Sequence, residues 1–322
     1  MTITPGPTRR AGLRTLVAVA AAVAAVPLLG GVRTSEARDG GTTGSPDAGH
    51  ARVKARTVPP LRLMTFNLRV AGSDEPNSWA DRRPVMRELL RRAAPHVIGT
   101  QEGQLPQLSD IEADLGPHYA WIGTTGDGRE ESVAVYYDKR RLAPVEHTTF
   151  RLSDTPDVPG SNTWGAAFPR LVTRVRFRDL LDPGRQFHVL NTHLDHRSEY
   201  ARERAAALIA ERVAALGGRL PVLLTGDFNA AAHGSPAYDT LLDAGFVDTW
   251  DTARQRGPAY GTFHAFGSLT PDGERIDWIL ATPDVTVHRE SVDTFWVRGQ
   301  WPSDHLPVLA SLSLGRAAPG TG

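Results

Sequence analysis

The sequence predicts a layered α/β fold: two mostly antiparallel sheets packed face to face, with helices outside. Three observations lead there. Short apolar runs recur from Leu61 to Leu314, and most end in a polar residue. Helix-start signals fall between several of these runs. Strands with apolar residues on both faces need cover on both sides, which a single exposed sheet does not give.

Residues 61–66 alternate and run into Asn67 as a first strand. Ser78 caps a helix through Leu89 and Leu90 toward Ala94, with Pro84 early enough to be tolerated. Residues 97–100 form a short buried strand leading to Glu102, and residues 104–115 read as a second helix. Residues 119–123 and 132–137 are strands. Residues 171–177 alternate cleanly, with residues 187–191 as their hairpin partner. Ser198 caps a long helix to Leu216, which Gly217 and Gly218 stop. Residues 221–224 feed Gly226 and Asp227. Residues 276–280, 285–288 and 307–314 complete the strands. There is no internal repeat.

Length and composition set further bounds. The chain has 322 residues, with 36 Lys plus Arg against 36 Asp plus Glu, and no block of one sign suggests a nucleic-acid tail. Cysteine is absent, which excludes disulfides, thiolate metal sites and a catalytic thiol. Residues 1–37 read as an export signal. Arg9 and Arg10 open a basic start, residues 15–32 are uncharged and rich in Ala and Val, and Ser35-Glu36-Ala37 offers small residues for cleavage. The arginine pair favours the twin-arginine route, so the protein is expected outside the cell. Pro27 interrupts the run and weakens the competing reading as a membrane anchor. Removal of this segment leaves a net charge of −3. Residues 38–58 read as a flexible leader, 59–316 as the catalytic domain and 317–322 as a tail.

A polar series is spread along the domain: Thr65-Phe66-Asn67, Thr100-Gln101-Glu102, Asn191-Thr192-His193, Gly226-Asp227-Phe228-Asn229, Arg275-Ile276-Asp277 and Ser303-Asp304-His305. Strand ends aimed into one cleft are where catalytic groups gather. Carboxylates, carboxamides and histidines without thiols suit a hard divalent cation and a phosphate ester. Asp195 and His196 beside His193 admit a transition-metal reading, which ranks below an oxygen site.

In this order and spacing, the six motifs resemble the endonuclease/exonuclease/phosphatase superfamily over roughly residues 61–315. The resemblance implies a four-layer α/β/β/α sandwich of the DNase I-like kind. Asn77-Ser78-Trp79, Arg197 and Thr262-Phe263-His264 resemble a secreted bacterial branch of it. The implied chemistry is P–O hydrolysis by in-line attack of water with Mg2+, Mn2+ substituting. Glu102 is expected as principal metal ligand, with Asn67 beside it and Asp304 completing the shell. Asp227 and Asn229, two apart on extended backbone, would point to one face, with Phe228 on the other. Asp227 would orient or deprotonate the water, and Asn229 would donate to a phosphate oxygen. The family pattern pairs His305 with Asp277 and His193 with Glu130. Either His305 or Asp227 would be the base, with the His305–Asp277 pair preferred. His193 would stabilise the phosphorane or protonate the leaving oxygen. Glu130 is chosen over Glu131 by counting back from Tyr136, and Gly128 departs from an aromatic that part of the family carries there. Arg170 matches a family arginine that contacts phosphate.

The expected partner is a phosphate ester: a small molecule, a lipid head group or a nucleic acid. Arg82, Arg83, Arg197 and Arg202 either serve a nuclease cleft or pair along helices. Residues 249–272 hold aromatics but no continuous apolar stretch, so no membrane-inserting element is expected, and no obligate protein partner is evident. Trp164, Tyr260, Phe263, Trp296 and Trp301 either line the mouth or pack loops. A secreted nuclease is the alternative. A catalytically silent binding module ranks last, because the whole motif set is present.

Overall fold

The structure, a computed structural model, describes residues 58–73, 76–124 and 132–315. The export-signal, leader and tail readings lie outside these residues, as does Glu130. Among the described residues no helix is long and apolar enough to cross a membrane.

The chain order is β1 (Leu61–Asn67), α1 (Trp79–Ala93), β2 (Val97–Gly103), α2 (Leu105–Leu115), β3 (Tyr119–Ile122), β4 (Ser132–Asp138), β5 (Leu142–Arg151), β6 (Leu171–Asp179) and β7 (Gln186–His193). It continues with α3 (Glu199–Ala214), β8 (Val222–Asp227), α4 (Pro236–Asp243), β9 (Val247–Asp248), α5 (Thr249–Thr252), β10 (Asp277–Ala281), β11 (Thr286–Val292) and β12 (Val308–Ser313). The strands make two six-stranded sheets, ordered β11-β12-β1-β2-β4-β3 and β5-β6-β7-β8-β10-β9. Most neighbours are antiparallel. The parallel pairs are β1 with β2 and β7 with β8. Each such pair needs a long crossover, which α1 and α3 supply.

The helices start where side chains can cap them. Ser78 accepts from Asp81 N at the head of α1, and Ser198 accepts from Ala201 N at the head of α3. Three apolar layers hold the sandwich together. α1 and α2 bury Met86, Leu89, Leu108 and Ile111 against Phe66, Ile98 and Tyr136 of the first sheet. α3 and α4 bury Ala205, Ile209 and Tyr238 against Leu224 and Trp278 of the second. Leu63, Val97, Val135, Val175, Val189, Leu223 and Ile279 fill the space between the sheets.

A polar seam crosses that middle layer. Gln101 Nε2 donates to Asn191 Oδ1 (2.8 Å) and Thr65 Oγ1 (3.1 Å). Asn191 Nδ2 donates to the carbonyls of Thr100 (2.8 Å) and Ala134 (3.0 Å). Gln101 and Asn191, read as members of the polar series, therefore bridge the sheets. Gly99 makes the close approach possible: a Cβ there would clash with Thr225 Oγ1 and Asn191 Oδ1.

Three elements lack the expected signals. β5 carries Pro144 and a largely exposed middle, because it is an edge strand. β9 and α5 are too short for any period to register. α4 does have one, Ser235 as cap and Pro236 in the first turn.

Candidate active site

Strand register builds half the site. Asp227 ends β8, with His193 of parallel β7 in register on one side and Asp277 of antiparallel β10 on the other. The other sheet supplies Asn67 and Glu102 from the ends of β1 and β2. The register of β2 against β4 shifts between Thr100 and Gly103, and Glu102 takes a left-handed φ of 61°. Such bulges and unfavourable backbone re-aim side chains and concentrate at functional sites. Asn229 (φ 48°) and Arg69 (φ 54°) share that conformation.

Asn67 joins the halves. Its Nδ2 donates to Glu102 Oε1 (2.9 Å) and Asp227 Oδ2 (2.9 Å), while its Oδ1 accepts from Arg69 N (2.9 Å). The amide NH2, not the oxygen, faces the carboxylates, so Asn67 holds them in place. His305 reaches in from the segment before β12. Its Nδ1 lies 2.9 Å from Asp277 Oδ2 and its Nε2 3.8 Å from Asp227 Oδ2. His193 Nε2 approaches the same Asp227 oxygen at 3.4 Å. Two groups of possible ligands thus share Asp227: Glu102, His193 and Asp227, and Asp227, Asp277 and His305, each with ligand atoms within 4.8 Å of one another.

The extended-backbone expectation for Asp227 and Asn229 is corrected. Asn229 N donates back to Asp227 Oδ1 (2.9 Å) in an Asx turn, which the left-handed φ permits. The side chain still arrives at the site. Asn229 Nδ2 lies 3.0 Å from His193 Nε2 and donates to Leu194 O (3.0 Å). Phe228 points away and stacks on Trp278 at 4.0 Å.

Arg170 is buried with Nη1 2.9 Å from His193 Nδ1 and Nη2 3.3 Å from His196 Nδ1. Asp195 accepts from the backbone N–H groups of Ala167, Arg197 and Ser198, so it orders the loop. It joins no metal-type group with His196 among the described residues. Asp304 also stands apart from both groups, 3.6 Å from Arg69 Nε.

Burial sets the charges. It pushes Asp227 up to about 6, with Asp277 reinforcing it and His305 opposing. Burial works against a charged His305, but Asp277, Asp227 and the Asp277 hydrogen bond outweigh it and push the imidazole up to about 10. Burial, then Arg170, holds His193 well below the usual histidine range. One histidine is a cation and the other neutral at neutral pH.

Several residues support the site from outside it. Ser303 Oγ donates to Asn67 O (2.7 Å), tying the His305 segment to β1. Thr262 Oγ1 accepts from Asp277 N (3.0 Å). Fully buried Arg82 donates to the carbonyls of Leu68 (2.7 Å), Val70 (2.9 Å) and Pro302 (3.1 Å). Of the arginines weighed for a nuclease cleft, Arg82 is thus internal. Arg83 pairs with Asp110 and Asp114, and Arg202 donates to Asp195 O. Phe263 lies 4.9 Å from His305 and is half exposed, whereas Trp164 is buried in the α3–α4 core and Tyr260 packs on the inter-sheet core.

The model of the Endonuclease/Exonuclease/phosphatase family matches residues 64–305, a span that contains all six motifs. The chain belongs to that family. A mannosyl-6-phosphatase of Bacteroides thetaiotaomicron is 34% identical over 79% of this chain and 100% of its own, with a TM-score of 0.73. A family protein of Bacteroides vulgatus is 32% identical over 80% of this chain and 100% of its own, with a TM-score of 0.75. The human Nocturnin catalytic domain, with bound sulfate, shares the fold at 18% identity, covering 80% of this chain and 95% of that one, with a TM-score of 0.61. Protein angel of Drosophila melanogaster is 28% identical over 180 residues, 53% of this chain, and the match spans 49% of that relative's length. The Endonuclease/Exonuclease/phosphatase fold is that of phosphoester hydrolases, and the two sheets and their helices follow it.

Proposed function

We propose that this chain is a divalent-metal-dependent phosphatase acting on a sugar phosphate, exported by its N-terminal segment. The carrying observation is Asp227, buried and shared between a Glu102–His193 group and an Asp277–His305 group. The likeness to a mannosyl-6-phosphatase supports a sugar phosphate as the ester.

The residues fit a hard cation. Glu102 and Asp227 offer carboxylate oxygens, no thiolate competes, and Asp227 is buried beside a second carboxylate. Glu102 would hold the ion, Asn67 would fix Glu102 and the neighbouring Asp227 in place, and Asp304 would be an outer contributor. A bound Mg2+ would supply charge neutralisation on the phosphoryl oxygens.

The protein's own groups then divide the work. Asp227 orients the attacking water and accepts its proton, a task its raised pKa suits. His305, held as an imidazolium by Asp277, gives its proton to the departing sugar oxygen as the P–O bond breaks. This reverses the preference for His305 as base, because a group already protonated at neutral pH is a donor. Neutral His193, with Asn229 and Arg170 against its ring nitrogens, would contact the remaining oxygens. The expected pairing of Glu130 with His193 lies outside the described residues.

The nuclease reading loses support because Arg82, Arg83 and Arg202 are engaged within the protein. The deciding experiment is a panel of mannose 6-phosphate, glycerol 2-phosphate, sphingomyelin, plasmid DNA and RNA, with residues 38–322, Mg2+ or EDTA. Mg2+-dependent release of phosphate from mannose 6-phosphate is expected. Cleavage of DNA or RNA alone would replace this reading with the nuclease.

A further inference from the structure

The segment just before Ser303-Asp304-His305 is a rigid hairpin that the chemistry above leaves unused. Val297 and Gln300 exchange both backbone hydrogen bonds (3.0 and 2.9 Å). The turn residues Arg298 (φ 51°) and Gly299 (φ 84°) are both left-handed, the conformation that favours a tight two-residue turn. Trp296 and Trp301 therefore face each other across the hairpin, with ring centroids 5.9 Å apart. The ladder is braced from outside. Gln300 Nε2 donates to Asn77 Oδ1 (3.1 Å), and Arg82 Nη1 to Pro302 O (3.1 Å).

The two indoles are not equivalent. Trp301 is partly buried and lies 4.7 Å from the His264 ring, whose backbone N–H donates to Asp304 O (2.9 Å). Trp296 is 53% exposed. Trp301 already does the packing, so core formation gives no reason for an outer indole held this firmly. An ordered, exposed aromatic at the rim of a site offers a large apolar face and one N–H at little entropic cost.

We propose that Trp296, backed by Trp301, is a specificity-determining platform on which the sugar ring of the phosphate ester stacks. The apolar C–H face of a pyranose matches the indole face, while the hydroxyl edges stay hydrated. The mannosyl-6-phosphatase likeness favours a sugar over a nucleobase. The inference rests on the sugar phosphatase reading for its substrate, and its test separates the two.

Steady-state kinetics of the wild type, Trp296→Ala and Trp296→Phe on mannose 6-phosphate and glycerol 2-phosphate give the first readout. Trp296→Ala is expected to raise KM for mannose 6-phosphate about three- to tenfold with kcat held, and to affect the ringless ester less. Trp296→Phe is expected to restore most of the affinity. An equal penalty on both esters, or none on the sugar ester, overturns the platform. Should the wild type cleave neither ester, titration with unphosphorylated mannotriose decides. Quenching of tryptophan fluorescence that Trp296→Ala abolishes keeps the platform while the catalytic reading falls. Quenching by thymidine monophosphate but not by the sugar overturns it.

Discussion

One oxygen of Asp227 takes an amide from Asn67 and lies within 4 Å of both histidines, so its surroundings decide which groups carry charge. His305 stays protonated only because Asp277 and Asp227 outweigh its burial. A group whose pKa is raised in the fold keeps its proton until pH passes that higher value. Activity that needs the imidazolium should therefore persist into alkaline solution and fall as pH approaches about 10. Asp277→Asn removes the negative charge 2.9 Å from Nδ1 and should move that limb toward the ordinary histidine range. A pH–rate profile checks this, and an unmoved alkaline limb would separate it from His305. The motif residues were legible in the sequence because their types declare their chemistry. Their charge states were not, since these depend on burial and on cross-strand neighbours such as Asp277 opposite Asp227.

Among the elements, α1 supports the site without containing any residue of it. Arg82, on its first turns, gathers carbonyls from the segment after β1 and from Pro302, two residues before Asp304. Arg82→Ala would leave these buried acceptors unpaired, at a cost of about 3–5 kcal/mol. Arg82→Lys should recover little, because an ammonium cannot reach the same fan of carbonyls. Thermal melts measure both, and a loss under about 1 kcal/mol would contradict the role. Nothing in the sequence distinguishes Arg82 from Arg83, whose partners are the exposed helix-pairing kind. Capped helices and alternating strands were readable for the opposite reason: Ser78, Ser198 and residues 171–177 carry local signals. The edge strand β5 was not, because solvent on one side removes the apolar alternation.

At the scale of the molecule, the site exists because two sheets meet closely enough for Asn67 to touch carboxylates of both. Gly99 and the Gln101–Asn191 seam set that distance. Gly99→Ala would force the sheets apart and should cost about 1–3 kcal/mol, with a larger fall in activity than in stability. Normal turnover in a destabilised Gly99→Ala protein would mean that the sheet spacing does not govern the chemistry. The central claim is that Glu102, from one sheet, and Asp227, from the other, act as one unit on one phosphate. The most direct measurement is a double-mutant cycle on Mg2+-dependent phosphate release with Glu102→Gln, Asp227→Asn and the pair. Each single change is expected to lower kcat by about a thousandfold, and the double change by little more than either alone. Losses that simply multiply would show two independent sites and contradict the account.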